Sequence, residues 1–149
     1  MHYQQLALKL KYLLTIPTEN LINNVFVNST NMREENEEQI LINNIKQFNK
    51  SADLVYKTKD YTSATILYFK TFFAVLDLII LKNTGKIPKG HTERFRILES
   101  TFKDLYRILD EDFTIYRQTY TTRISKENCD KVKENVKRII KGQKISENS

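Results

Sequence analysis

Residues 61–85 read YTSATILYFKTFFAVLDLIILKNTG, and the fold turns on how this stretch is taken. From Ala64 to Leu81 only Lys70 and Asp77 carry charge. A bilayer span and a core helix compete for such a run. A span needs ~20 consecutive apolar residues, and the two charges cut the run into shorter pieces. A helix that is apolar nearly all round is instead expected at the centre of a bundle, contacted on several sides. Asp60 stands where an N-cap belongs, Gly85 where a helix stops, and Pro88 stiffens the loop beyond. Lys70 and Asp77 are seven residues apart, hence on one side of the helix. They mark either its solvent edge, the favoured expectation, or a polar cleft.

Upstream, REENEEQILINNIKQFNKSADLVYKTK (33–59) places Leu41, Ile45, Phe48, Ala52 and Val55 at alternating steps of four and three, one helix face. Four glutamates open it, where negative charge suits the helix dipole. Before it, residues 1–14 allow a short amphipathic helix through Leu6, Leu10, Leu13 and Leu14. Pro17 interrupts that pattern, and the Asn-rich 15–32 reads as a connection with at most one helical turn.

Downstream, Thr92 is the expected N-cap of a helix with Glu93 in its first turn. Phe95, Leu98, Phe102, Leu105 and Leu109 form its stripe, and Asp110 to Asp112 are expected to break it. Residues 113–124 then read as a short helix or helical turn. Ser125 caps a last helix whose apolar face is Cys129, Val132, Val136, Ile139 and Ile140; Gly142 ends it. The expected organisation is an N-terminal segment (1–32), a helical bundle (33–142) and a frayed tail (143–149). Short connections make neighbouring helices antiparallel.

Composition agrees. Gly is 3 and Pro 2 of 149 residues, too few for the turns of a strand-rich fold. The single cysteine, Cys129, excludes an internal disulfide framework and sits on the core stripe as a packing residue. Two histidines, one at position 2, give no metal-site spacing, and no Gly-rich phosphate loop implies a cofactor. The start, MHYQQLALKLKYLL, carries lysines within its apolar part and no small-residue cleavage site, so a cytoplasmic protein without a membrane segment is expected. The net charge is +6 and the predicted pI near 9.3. Residues 117–144 concentrate it, with nine Lys/Arg against three Asp/Glu.

The stretch ADLVYKTKDYTSATILYFKTFFAVLDLIILKNTGKIPKGHTERFRIL (52–98) resembles the helix pair of the HEPN superfamily (higher eukaryotes and prokaryotes nucleotide-binding). YRQTYTTRISKENCDKVKENVKRII (116–140) resembles that family's aromatic-and-arginine segment running into its final helix. The likeness covers roughly 38–141 and rests on the order of elements. It implies an all-α, antiparallel bundle of four to five main helices, usually a homodimer. Members are RNases of toxin–antitoxin, CRISPR or phage-defence systems, non-catalytic partners of small nucleotidyltransferases, or nucleic-acid-binding modules. The RNases carry Arg, four to six residues, then His. Here no Arg of the second half is followed by His at that distance, and HTERFR (91–96) runs in the reverse order. The stretch 53–73 also resembles one tetratricopeptide helix pair, whereas a solenoid needs about three.

The candidate sites follow. Metal-free RNA cleavage needs a base for the 2′-hydroxyl and a cation for the phosphorane. His91 and Arg94, three apart on one helical face, are the residues such an RNase would use, with Arg117 as an alternative cation. The simpler reading makes His91 a loop residue that orders the helix start. Tyr116, Arg117, Tyr120 and Arg123 combine rings that stack on bases with guanidinium groups that meet phosphate. The competing reading packs the tyrosines on the bundle and pairs the arginines with Asp110, Glu111 and Asp112. Lys133, Lys137 and Arg138 belong to a basic face of the last helix, suited to phosphates or simply solvated. The expectation is a non-catalytic HEPN-like protein that dimerises and binds RNA, DNA or a nucleotidyltransferase-type partner. A degenerate metal-independent endoribonuclease and a tetratricopeptide-like adaptor are the alternatives.

Overall fold

The computed structural model describes the backbone of residues 18–145 and the side chains of residues 36–145. The short helix expected within 1–14 and the last residues of the tail lie outside the described residues. Two units divide the chain, Met1–Glu37 and Glu38–Ser149. Every side-chain contact below belongs to the second. Among the described residues there are five helices and no strand: α1 (Thr18–Lys57), α2 (Tyr61–Thr84), α3 (His91–Thr101), α4 (Lys103–Gln118) and α5 (Lys126–Gly142).

Helix α1 begins fifteen residues earlier than position 33, the expected start, so most of 15–32 is helix and not connection. No Gly or Pro occurs between Pro17 and Gly85, so nothing in the covalent chain stops a helix there. In its described part Leu41, Ile45 and Ala52 are buried, and Val55 packs against the same core. Phe48 is only half-buried, and Asn49 is buried beside it on the helix. The chain leaves α1 through Lys59, whose φ is 66°, and enters α2 through Asp60. Asp60 caps as expected: its Oδ1 accepts from the Ser63 N–H at 3.0 Å.

Helix α2 is the centre of the core. From Ala64 to Leu81 every residue is buried except Ile66, Leu67 and Lys70. It is long and apolar enough to cross a membrane, and 83% of its most apolar window is buried inside the fold. Its main partner is α5, and it also contacts α3 and α4. Gly85 ends it at φ 74°, donating its N–H to Leu81 O at 2.8 Å.

Two expectations for the third helix need correction. The chain caps α3 with Gly90 and not Thr92, and no side chain caps that end. Glu93 closes the turn by accepting from the Lys89 N–H at 2.8 Å. The break also falls at Phe102 and not at Asp110–Asp112: α3 stops at Thr101 and α4 runs unbroken through the three carboxylates to Gln118. The Ser100 hydroxyl bonds back to Ile97 O at 3.0 Å, which competes with the helix ladder just before the bend. The bend folds Phe95 onto Phe113, with ring centroids 5.0 Å apart, and onto Tyr106 at 6.1 Å. Asp112 is compatible with helix because α5 serves it. Its Oδ2 accepts from Asn135 Nδ2 at 2.8 Å and its Oδ1 lies 3.6 Å from Lys131 Nζ. Burial nevertheless raises its pKa against those partners.

Helix α5 has the expected cap and face. Ser125 Oγ accepts from the Asn128 N–H at 3.2 Å, and Cys129, Val132, Val136, Ile139 and Ile140 are all buried. Burial raises the Cys129 thiol pKa, which keeps it a packing residue.

Candidate nucleic-acid interface

Asp77 does not lie at a solvent edge. Its carboxylate meets Arg94 at two points, Nε to Oδ1 at 2.6 Å and Nη2 to Oδ2 at 2.8 Å. The two side chains are 11% and 8% exposed. Lys70, about two turns earlier on the same side, is exposed. The pair Lys70/Asp77 is therefore split: one member in water, the other neutralised beneath the surface. A carboxylate survives on this apolar helix because α3 brings the matching fork of donors to it.

Above the ion pair sits His91. Its Nδ1 lies 2.9 Å from Arg94 Nη1. Its ring packs edge-on to Phe73 at 4.7 Å and Phe113 at 5.7 Å, and reaches Tyr116 at 6.1 Å. Desolvation by this collar is the main cause that lowers the His91 pKa. The charges of Arg94 and Lys70 lower it further, with Asp77 opposing. The outer side of the residue remains exposed. Neutral His91 and a committed Arg94 do not make the base-and-cation pair that RNA cleavage needs: Nδ1 is already accepting, and the guanidinium is spent on Asp77.

The aromatic collar continues along α4 to its end. Tyr116 packs on Phe69 at 5.0 Å and on Phe73 at 5.4 Å. Its hydroxyl is 3.1 Å from that of Tyr120, and the two rings stand edge-on at 5.7 Å. That hydroxyl contact, then desolvation, pushes the Tyr116 pKa up to about 12. Tyr120 itself is 74% exposed, the most open large hydrophobic side chain among the described residues. Arg117, three residues before it, and Arg123, three after, are exposed, and neither forms an ion pair among the described residues. The nearby carboxylates do not claim them. Asp112 turns inward to α5, and among the described residues no ion pair joins Asp110 or Glu111 to either arginine. Tyr116 thus packs on the bundle while Tyr120 and both arginines stay available. Neither sequence reading anticipated that division.

The basic face of α5 is largely occupied. Lys137 Nζ lies 2.6 Å from Asp53 Oδ2, and Asp53 Oδ1 accepts from the buried Tyr68 hydroxyl at 2.6 Å. Lys133 sits over the Tyr56 ring at 4.0 Å. The Tyr56 hydroxyl donates to Asp130 Oδ1 at 2.6 Å, and Lys126 reaches Asp130 Oδ2 at the same distance. Arg138 is exposed and, among the described residues, bonds to Asn135 at 3.0 Å. Sequence reasoning missed Asp53, Tyr56 and Tyr68 because each partner lies on another helix, and helical periodicity reports only contacts along one.

Among the described residues no group of three or more His, Cys, Asp or Glu side chains converges as a metal site. No family model matches the chain, and neither the curated proteins nor the solved structures include a match.

Proposed function

We propose that this chain is a non-catalytic, HEPN-like antiparallel bundle that binds single-stranded nucleic acid through the end of α4. The single observation that carries the reading is the Tyr120 ring, largely exposed, braced by Tyr116, and flanked by Arg117 and Arg123, which are exposed and form no ion pair among the described residues. An exposed aromatic platform beside free guanidinium groups stacks a base and meets the phosphates around it without reading sequence. Lys70 and His91 extend the same face past Tyr116. The bundle arrangement is supported by the inter-helix pairs: Glu38 with Lys82 and Asp53 with Tyr68 step in opposite directions along α1 and α2. Asp53 with Lys137 and Tyr56 with Asp130 do so along α1 and α5. Homodimerisation and a cytoplasmic setting belong to the same proposal.

The RNase alternative is weakened by the commitment of Arg94 to Asp77 and of His91 Nδ1 to Arg94. For the adaptor alternative the described part of α1 offers two exposed large apolar side chains, Ile40 and Leu54, fourteen residues apart. The test is titration of the purified chain into labelled single-stranded RNA at two salt concentrations, with the RNA then run on a gel. Salt-sensitive binding with intact RNA is expected. Cleavage that disappears in His91→Ala overturns the non-catalytic reading, and absence of binding overturns the nucleic-acid reading.

A further inference from the structure

His91 has two ring nitrogens and a protein partner for one. Arg94 Nη1 faces Nδ1 at 2.9 Å. A guanidinium has donors only, so Nδ1 accepts, and in the neutral ring the proton sits on Nε2. Nε2 has no hydrogen-bond partner among the described residues. Arg94 cannot rotate away from this duty. Its Nε and Nη2 are fixed by the buried Asp77, and its guanidinium carbon lies 4.8 Å over the Phe73 ring. The ring of His91 is held in turn by Phe73 and Phe113. Lys70 lies one helical turn before Phe73 on α2 and is exposed. The groups facing His91 are thus Lys70 and Asp77 from α2, Arg94 from α3 and Tyr116 from α4.

We propose that Asp77 and Arg94 are positioning residues that hold His91 in its Nε2–H form, and that this N–H, with Lys70 beside it, is a fixed donor to a phosphodiester oxygen of the bound strand. The assignment rests on the single-strand reading above. It gives the buried ion pair a use: a neutral donor set from behind loses nothing to side-chain reordering when the strand arrives.

The test uses the full chain and has two parts. Long-range proton–nitrogen correlation of ¹⁵N-labelled protein above neutral pH reads the His91 tautomer without any ligand. The Nε2–H form is expected in the wild type, and a mixed population in Arg94→Lys, which keeps the charge at Asp77 but not the fork. An Nδ1–H wild type, or an Arg94→Lys protein that is folded and still purely Nε2–H, overturns the positioning assignment. The second part measures affinity for a labelled single-stranded oligouridylate. The Gln amide nitrogen lies where Nε2–H does, so His91→Gln should bind within about twofold of wild type, while His91→Ala should bind about tenfold more weakly. Wild-type binding that His91→Ala leaves unchanged overturns the donor role alone. No wild-type binding at all, with the tautomer as expected, overturns the single-strand reading instead.

Discussion

Lys137 of α5 places its ammonium 2.6 Å from Asp53 of α1, and the same carboxylate accepts the buried hydroxyl of Tyr68 from α2. One carboxylate therefore joins three helices. This changes what a cation on α5 means. The expected effect of Lys137→Ala is a loss of stability of about 1 kcal/mol, since the pair is partly solvated. Tyr68→Phe should cost about 1–2 kcal/mol, because its buried hydroxyl and the charge-assisted bond go together. Neither should change the salt dependence of RNA binding. Urea unfolding and a salt titration on the same two variants check this.

The Asp77–Arg94 pair predicts a strong asymmetry between single and double replacement. Arg94→Ala leaves a carboxylate buried against α3 with no counter-charge and should cost about 3–5 kcal/mol. Replacing both, Asp77→Leu with Arg94→Met, removes two desolvated charges together and should leave the chain within about 1–2 kcal/mol of wild type. A double-mutant cycle in denaturant measures the coupling. A single mutant as stable as wild type would show that the pair is open to water.

Tyr120 should behave in the opposite way. Most of its ring is in solvent, so Tyr120→Ala should move stability by less than about 0.5 kcal/mol. Loss of the stacking platform should weaken single-strand binding by about 1–3 kcal/mol. Arg117→Ala and Arg123→Ala should each lower the slope of log affinity against log salt by about one. Affinity measured at four or five salt concentrations separates the two effects. If Arg138→Ala lowers the slope and Arg117→Ala does not, the interface lies on α5.

Gly85 tests the end of the core helix. Its φ of 74° is the left-handed conformation, and a Cβ added there meets nothing within 4 Å. The cost of Gly85→Ala is then backbone strain alone, about 1–2 kcal/mol. Gly85→Asn should recover part of it, since Asn tolerates that region better than Ala. Thermal unfolding of the two variants gives the order.

Periodicity along single helices made much of the fold legible. The α2 run, the Asp60 and Ser125 caps, the Gly85 stop and the whole buried face of α5 follow from spacing and local hydrogen bonding. The misplaced boundaries share a cause. The three carboxylates at 110–112 read as a break because a charge on the apolar stripe looks exposed. Asp112 is instead paid for by Asn135 and Lys131, residues of another helix. The bend at Phe102 carries no Gly or Pro, and it brings Phe95 onto Phe113 of the next helix. The site divides in the same way. Tyr116, Tyr120 and their arginines were visible as a local string. That Asp77 reaches Arg94, and Arg94 reaches His91, depends on how α3 lands on α2, which no spacing in one helix encodes.

The last prediction concerns pH. His91 has its folded-state pKa lowered, first by desolvation in the aromatic collar and then by Arg94. Protonating Nδ1 must break the bond from Arg94 and set two cations side by side. Below the ordinary histidine value of about 6.5 the unfolded chain therefore takes up a proton that the folded chain refuses. Because the unfolded state binds more protons in that window, stability must fall as pH drops from about 6.5 toward the lower folded value. Above about 6.5 both states are neutral and the contribution is flat. The slope should be well under the ~1.4 kcal/mol per pH unit of one fully coupled proton, since the outer side of the ring is solvated. His91→Gln removes the titration and keeps an amide near Arg94. His2 is present in both proteins, so the difference between their stability–pH curves isolates His91. Urea unfolding from pH 5 to pH 8 should show the wild-type curve dropping below the variant's on the acid side only. Parallel curves would mean that neither the collar nor Arg94 disfavours the charged ring, and an alkaline-side divergence would mean that the ring is held in its charged form.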